Sequence, residues 1–274
     1  MISVSGMSTY NALRLADATE TSQKTVLTSS GLHSRAIDSF LEQVASIETV
    51  DDLVDNYEVY SFVMKAYDLE DEIFGKAMVK KILSGDEEDD DALVNKLTDS
   101  RFTALYEAMG FTEGGTVNTN TIDPEWQQAM VDKYVEQIYT NEYADQNETL
   151  GTVLELRNKA DGIESYYDLL ADANLTDFIY TVLNLPSDMS ALDVDKQAGI
   201  LEDKFDLEDL KDPEELEKLI RRYAIIKDVQ DGTATANSAA VTLMSSAVNS
   251  LSSDGQFVPV TIDMSVIYPS TGYE

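Results

Sequence analysis

The chain has 274 residues, with 19 lysines and arginines against 52 aspartates and glutamates, and a formal net charge of -33. It contains no cysteine, which excludes disulfides, zinc–thiolate centres and cysteine nucleophiles. A Ser-His-Asp triad or a multi-histidine metal site would depend on His33 alone, and the negative charge repels the phosphates of nucleic acids. We therefore expect no nucleic-acid partner.

The composition favours a folded, mainly helical protein. Hydrophobic residues make up 43% of the chain, and the 14 tyrosines and 8 phenylalanines are enough to build a core. Five prolines and 13 glycines are few for this length, which favours helices over a turn-rich β fold. The N-terminus has no basic region followed by an apolar run, and no stretch approaches about 18 apolar residues. We expect a chain made in the cytoplasm without a Sec signal peptide and without a membrane span.

The first part of the chain is predicted to be a flexible N-terminal arm, followed by helices. The arm covers residues 1–33 and includes a helix near residues 11–27. An apolar stripe from Ala36 to Val44 predicts the next helix. Thr49 and Asp52 have the spacing of a capping box, which predicts a further helix start.

Helical patterning resumes over residues 57–67 and 70–83 and is interrupted by an acidic stretch. Six acidic residues from Asp86 to Asp91 resist compaction and predict a loop. A short helix is predicted over residues 92–97, and Asp99 is the predicted cap of the helix that follows. The glycines and asparagines of residues 110–121 are typical of a linker.

The second half repeats these signals. Asp123 followed by Pro124 predicts a helix that starts there and runs to about residue 143. Ser165 and Asp168 form a second capping box, and Asp212 followed by Pro213 repeats the Asp-Pro start. The other predicted helices cover residues 148–160, 175–184 and 193–205.

The C-terminal region differs in charge, because no lysine or arginine follows Lys227. Residues 231–240 are typical of a linker, a small-residue amphipathic helix follows to Leu251, and the alternation over 258–266 predicts a β-strand. Ile2–Ser5 of this chain is one possible partner for that strand, and another chain's sheet is the alternative. Packing within the chain is favoured, but this region is also where we expect a protein partner. The candidate partner-binding residues are Leu243, Met244, Val248, Leu251, Val258, Val260 and Ile262.

Two segments of the chain are similar to each other. Residues 47–69 align without a gap to residues 163–185, at an offset of 116. The identical pairs are Ile47/Ile163, Glu48/Glu164, Asp52/Asp168, Leu53/Leu169, Phe62/Phe178 and Leu69/Leu185. Helix caps and apolar packing explain these pairs, so they predict an internal duplication and no active site.

These signals predict a mainly α fold made of two related helical units with a short terminal β-strand or ribbon. The predicted domains are the arm 1–33, helical unit 1 at 34–122, helical unit 2 at 123–230 and the low-charge C-terminal helix and strand at 231–274. No nucleotide-binding glycine motif or nucleophile elbow occurs, so we predict no catalytic, cofactor-binding or metal-binding residue. His33 is predicted to have a surface or packing role, and the acidic loop lacks the spacing of a calcium-binding loop.

Several motifs together resemble the alphaproteobacterial domain-of-unknown-function family 1217. The motifs are GMSTYNALR at 6–14, IETVDDLVDNYEVYSFVMKAYDLEDE at 47–72, KKILSGD at 80–86, LTDSRF at 97–102, LDVDKQAGILEDKF at 192–205 and DPEELEKLIRRY at 212–223. Residues 229–274 match no pattern of that family. The resemblance implies an alphaproteobacterial protein, often encoded among flagellar genes, and assigns no reaction and no catalytic residue.

The favoured function is therefore a non-enzymatic, flagellum-associated structural, export or assembly factor. Its expected partner is a flagellar or export protein, and its expected location is the flagellum or the medium reached by the flagellar export route. Two alternatives stay open: a soluble enzyme with a carboxylate-based site between the two helical units, and an acidic calcium-responsive binding protein. Sequence leaves the oligomeric state open.

Overall fold

A computed structural model of the chain describes residues 1–86, 88–89, 91–97 and 99–230, and this part contains thirteen α-helices. The helices are α1 Thr9–Ser29, α2 His33–Gln43, α3 Val50–Asp55, α4 Tyr57–Ala66, α5 Lys76–Leu83, α6 Ser100–Met109, α7 Pro124–Ala144, α8 Glu148–Lys159, α9 Tyr166–Ala171, α10 Ala173–Leu183, α11 Val194–Glu202, α12 Glu208–Lys211 and α13 Pro213–Gln230. The mainly α prediction is confirmed. None of these helices is long and apolar enough to cross a membrane.

The predicted helix starts are present as capping interactions. The Asp123 side chain accepts a hydrogen bond from the Glu125 amide, with Pro124 as the first helical residue of α7. Thr49 and Asp52 form a reciprocal capping box at the start of α3. Ser165 and Asp168 form the second box at the start of α9, and Asp99 caps α6. Capping is decided within three or four residues, which is why sequence alone finds it.

The predicted helix over residues 70–83 is broken in the structure. A 3-10 turn covers Glu70–Glu72, and α5 begins only at Lys76. The hydroxyl of buried Tyr60 donates a hydrogen bond to the Ile73 carbonyl at 3.1 Å, so that carbonyl is turned toward α4 instead of continuing a helix. The short helix predicted over residues 92–97 is likewise reduced to a 3-10 turn, Val94–Lys96.

The buried side chains form two cores that meet on α7. Met130, Val131, Tyr134 and Val135 of α7 belong to the first core, whose other members come from residues 40–111. Tyr139 and Tyr143 belong to the second core, and Ile138 packs against both. The predicted boundary between units at 122/123 lies before α7, whereas the cores divide within this helix. A long helix with apolar residues along its whole length can serve two cores at once.

The N-terminal residues differ from the predicted flexible arm. Residues 9–29 form α1, which contributes Ala12, Leu13 and Ala16 to the second core. Val4 is fully buried, and its amide donates to the Gln146 side chain at 2.9 Å. Alanines bury little area each, so the apolar face of α1 is weak in sequence and forms only against close neighbours. The predicted strand at 258–266 lies outside the described residues.

The segments that align at an offset of 116 share backbone features. Asp68 after α4 and Asn184 after α10 both adopt the left-handed conformation, with φ of 56° and 52°. The next amides, of Leu69 and Leu185, each donate at 2.8 Å to the carbonyl five residues earlier. Asp and Asn tolerate this conformation better than other side-chain-bearing residues. These pairs support the duplication, which stays a prediction.

Candidate functional site

A cleft of about 610 Å³ lies between the two predicted helical units. The end of α4 and the start of α6 line one side, α8 and the start of α10 line the other, and α7 contributes to both. An adjoining opening of about 310 Å³ shares several residues with it. The titratable residues of the two openings are Tyr67, Asp68, Asp99, Arg101, Glu107, Lys133, Glu155, Lys159, Glu164, Asp168 and Asp172. This is the place where the sequence allowed a carboxylate-based site.

Arg101 is held by two acidic residues of unit 1. Its Nε lies 3.0 Å from Asp99 Oδ1 and its Nη2 lies 2.7 Å from Asp99 Oδ2, a bidentate pair. Its Nη1 donates to the Asp68 carbonyl at 2.5 Å and reaches the Asp68 carboxylate at 3.5 Å. The hydrogen bonds from Arg101 hold the pKa of Asp99 below its usual value. Arg101 therefore joins the start of α6 to the turn that ends α4.

Lys159 forms a similar pair of ion pairs within unit 2. Its Nζ lies 2.6 Å from Glu155 Oε1 and 2.6 Å from Asp172 Oδ2. Burial alone would raise the pKa of Asp172, but the hydrogen bond and ion pair with Lys159 outweigh it and lower that pKa. Asp172 also caps α10, because it accepts the amides of Asn174 and Leu175. Lys159 thus joins α8 to the start of α10.

Asp68 differs from the other cleft acids. Burial raises the pKa of its carboxyl group, and the opposing effect of Arg101 is smaller. Its backbone is in the left-handed region, which a non-glycine residue rarely adopts. A raised pKa makes a carboxyl group a better candidate for proton transfer than an ordinary aspartate. Asp68 is therefore the residue that most favours an enzymatic use of the cleft.

Lys133 contacts the cleft from α7. Its Nζ lies 4.7 Å from the centre of the Tyr67 ring, a cation–π contact. Burial, together with repulsion from Lys159, lowers the pKa of Lys133. Burial, together with the negative charge of Glu107, raises the pKa of Tyr67 to about 12. The contact ties α7 to the residue that ends α4.

All three cationic side chains that line the cleft are paired with groups of the chain itself. Arg101 forms ion pairs with Asp99 and Asp68. Lys159 forms ion pairs with Glu155 and Asp172. Lys133 contacts the face of an aromatic ring. An anionic substrate would have to displace an internal carboxylate to reach Arg101 or Lys159. The network is therefore suited to hold the helices within each unit in a fixed arrangement. Breaking one of these half-buried ion pairs would leave a partly desolvated charge without its partner, which is unfavourable.

Sequence reasoning allowed a carboxylate-based site between the two helical units and identified Asp99 and Asp168 as capping residues, but it assigned no residue to that site. Arg101, Lys159 and Asp172 were not singled out. The spacing of Asp99 and Arg101 at a helix start is a local signal for their pair, since the side chains lie two residues apart. Nothing local connects Asp68 with Arg101, 33 residues later.

The acidic loop binds its own backbone and one lysine. Asp86 accepts the Glu88 amide at 3.0 Å, and Asp89 accepts the Asp91 amide at 2.9 Å. Lys96 Nζ lies 2.5 Å from Asp91 Oδ1. Over the described ranges, no group of three or more His, Asp or Glu side chains is placed to hold a metal ion.

The predicted partner-binding residues lie outside the described residues. They are Leu243, Met244, Val248, Leu251, Val258, Val260 and Ile262. Their role stays a prediction.

His33 lies at the start of α2 and contacts α7. Its Nδ1 is 3.0 Å from the Tyr134 hydroxyl, and the two rings meet edge to face. Burial lowers the pKa of His33 below the usual 6.5, and the positive charge of Lys65 adds to this while Glu142 opposes it. The histidine therefore joins α2 to the first core.

The lowered pKa of His33 predicts a pH dependence of folding. Above pH 6.5 the protonation of His33 does not reduce the free energy of unfolding. Below pH 6.5 the unfolded chain binds this proton more readily than the folded chain does, so the free energy of unfolding decreases as the pH falls. We expect wild type to lose urea resistance between pH 7.5 and 5.5, and His33→Gln to lose less. Urea midpoints of both proteins at both pH values measure this. Equal losses in the two proteins would contradict it.

The comparisons with known proteins agree with this architecture. Residues 66–216 match the model of a family described as a protein of unknown function, DUF1217. The X-ray crystal structure of a protein from Agrobacterium tumefaciens is similar, with 29% identity and a TM-score of 0.73 over 84% of this chain and 97% of that chain. None of the curated proteins matches significantly. The family match covers more than half of the chain, and the chain therefore belongs to the DUF1217 family.

Proposed function

We propose that this chain is a non-enzymatic helical protein that acts in flagellar structure, export or assembly by binding another protein. The family resemblance supports the flagellar setting. The observation that carries the non-enzymatic part is the internal pairing of the cleft cations Arg101 and Lys159. Both cations are used to hold helix ends, so the cleft serves the arrangement of the helices, and binding is left to the outer surface.

The test is deletion of the gene in its native host. We expect slower spreading in soft agar, and fewer or shorter filaments in electron micrographs, with recovery when a plasmid copy is supplied. Normal swimming and normal filaments would overturn the proposal. A tagged copy followed through cytoplasmic, basal-body and culture-supernatant fractions then separates an assembly factor from a structural or exported component.

A carboxylate-based enzyme is the second candidate, because burial raises the pKa of Asp68 in the cleft. Asp68→Asn keeps the side-chain shape and suits the left-handed backbone. If the chromosomal Asp68→Asn strain swims like the deletion strain while the purified variant unfolds like wild type, the enzymatic candidate is favoured. If the strain swims normally, the non-enzymatic proposal stands. The calcium-responsive alternative has no supporting geometry in the described part of the chain.

A further inference from the structure

Phe74 projects almost entirely into solvent. Its side chain is 95% exposed, although it sits between the buried Ile73 and the helix α5. A phenylalanine ring carries one of the largest apolar surfaces of any side chain. Leaving it in water gives up the burial free energy that a core position would supply.

The backbone around Phe74 is held on both sides. The Ile73 side chain is in the first core, and the Ile73 carbonyl accepts the Tyr60 hydroxyl at 3.1 Å. The Gly75 amide donates to the Glu72 carbonyl at 2.8 Å, which closes the turn. The ring is therefore presented on a fixed turn, and a partner that binds it loses little backbone entropy.

The fold itself does not require an apolar residue at this position. Extending the offset of 116 by a few residues aligns Ile73 with Met189, and both side chains are buried. The same offset aligns Phe74 with the exposed Ser190. One unit therefore uses a serine where the other exposes a phenylalanine ring, so the ring serves something other than the turn.

The surroundings of Phe74 are acidic. Glu70, Asp71 and Glu72 precede it, and only Glu70 among these is in a salt bridge, with Lys65 at 2.9 Å. The nearest following cation, Lys76, turns inward, where its Nζ donates to the Val54 carbonyl at 2.7 Å. A second copy of this chain, with a net charge of -33, and an anionic membrane would both be repelled. A basic surface would be attracted.

We propose that Phe74 is the anchor of a docking surface for a protein with an apolar pocket bordered by lysines and arginines. The Phe74 ring enters the pocket, and the acidic residues of the turn contact the lysines and arginines that border the pocket. Aromatic anchors of this kind supply most of the affinity of an interface, while rim charges mainly speed association. This inference rests on the proposed function, because it names the surface and the chemistry of the protein partner.

The first step of the test is photo-crosslinking with the full chain in its native host. Benzoylphenylalanine is placed at Phe74 and, as a matched control, at Ser190, and crosslinked peptides are identified by mass spectrometry. We expect a crosslink from position 74, absent from position 190, to one protein, at an apolar segment flanked by basic residues. A crosslink only to a second copy or to lipid, the same crosslinks from both positions, or none at all would overturn the proposal.

The second step measures binding of the purified crosslinked protein. We expect Phe74→Ala to raise the dissociation constant at least about 30-fold, as for an aromatic hot spot. Asp71→Asn is expected to slow association and to reduce its salt dependence. The exposed Ile122 gives a control, since it lies outside the turn that carries Phe74 and Ile122→Ala is expected to leave the affinity unchanged. Equal affinity of wild type and Phe74→Ala would overturn the proposal even with a crosslink present.

The two proposals fail in different ways. Normal swimming of the deletion strain removes the flagellar function but leaves the binding measurement informative. If the deletion strain is impaired, and Phe74→Ala both restores swimming and binds like wild type, the docking surface alone is wrong. Unfolding of Phe74→Ala is expected to match that of wild type, since the ring contributes almost no buried area.

Discussion

Replacing Phe62 by alanine is expected to lower the free energy of unfolding by about 3–5 kcal/mol. The Phe62 side chain on α4 is only 2% exposed. Its ring stacks between those of Phe40 and Tyr134, with centroid separations of 4.3 Å and 4.1 Å. Removing it takes away the buried area and leaves a cavity between α2, α4 and α7 that the remaining rings fill only in part.

Urea unfolding measures this effect. Trp126 is the single tryptophan of the chain and lies 6.4 Å from the Phe40 ring, so its fluorescence reports on the first core. Tyr57→Ala in the same helix is the matched control, because Tyr57 is exposed and its loss is expected to change stability by less than about 0.5 kcal/mol. A loss below about 1 kcal/mol for Phe62→Ala would contradict the packing argument.

Replacing Asp228 by alanine is expected to cost about 2–4 kcal/mol. Asp228 on α13 is 5% exposed, and its carboxylate accepts the amides of Thr9 at 2.6 Å and Tyr10 at 3.3 Å. These are the first two amides of α1, and the Ser8 side chain accepts the third amide, that of Asn11. A negative charge also suits the positive end of the α1 dipole. Alanine leaves both amides without this acceptor.

Hydrogen exchange separates this effect from a general loss of packing. In Asp228→Ala we expect the first amides of α1 to lose protection, while amides of α4 in the first core keep theirs up to global unfolding. Asp228→Asn keeps one acceptor oxygen, so roughly half of the loss is expected. Uniform loss of protection through both cores, or no change in α1, would count against a local role for Asp228.

The fold and the candidate site were predictable to different degrees. The caps at Thr49, Asp123 and Ser165 were read from the sequence because each involves a side chain and an amide two or three residues away. The mainly α class followed from the same local signals and from the low proline and glycine content. The predicted C-terminal helix and strand stay predictions.

Contacts between distant residues were beyond sequence reasoning. The cleft depends on Arg101 meeting Asp68 and on Lys159 meeting Asp172, and no periodicity marks such meetings. With 52 acidic residues to choose from, no carboxylate pair could be selected in advance. The long α7, shared by both cores, also hides any boundary that falls inside it.

By itself the sequence determined the capped helix starts at Thr49, Asp99, Asp123 and Ser165, the helical class and the absence of cysteine, because these depend on composition and on neighbours a few residues apart. Only the tertiary structure decided that Ala12 and Ala16 lie in a core and that Phe74 lies outside one. The physical reason is that burial depends on the surface that covers a side chain. Two alanines become core residues because neighbouring helices pack closely against them. The hydrogen bond from Tyr60 to the Ile73 carbonyl fixes the turn in which the Phe74 ring is left in solvent.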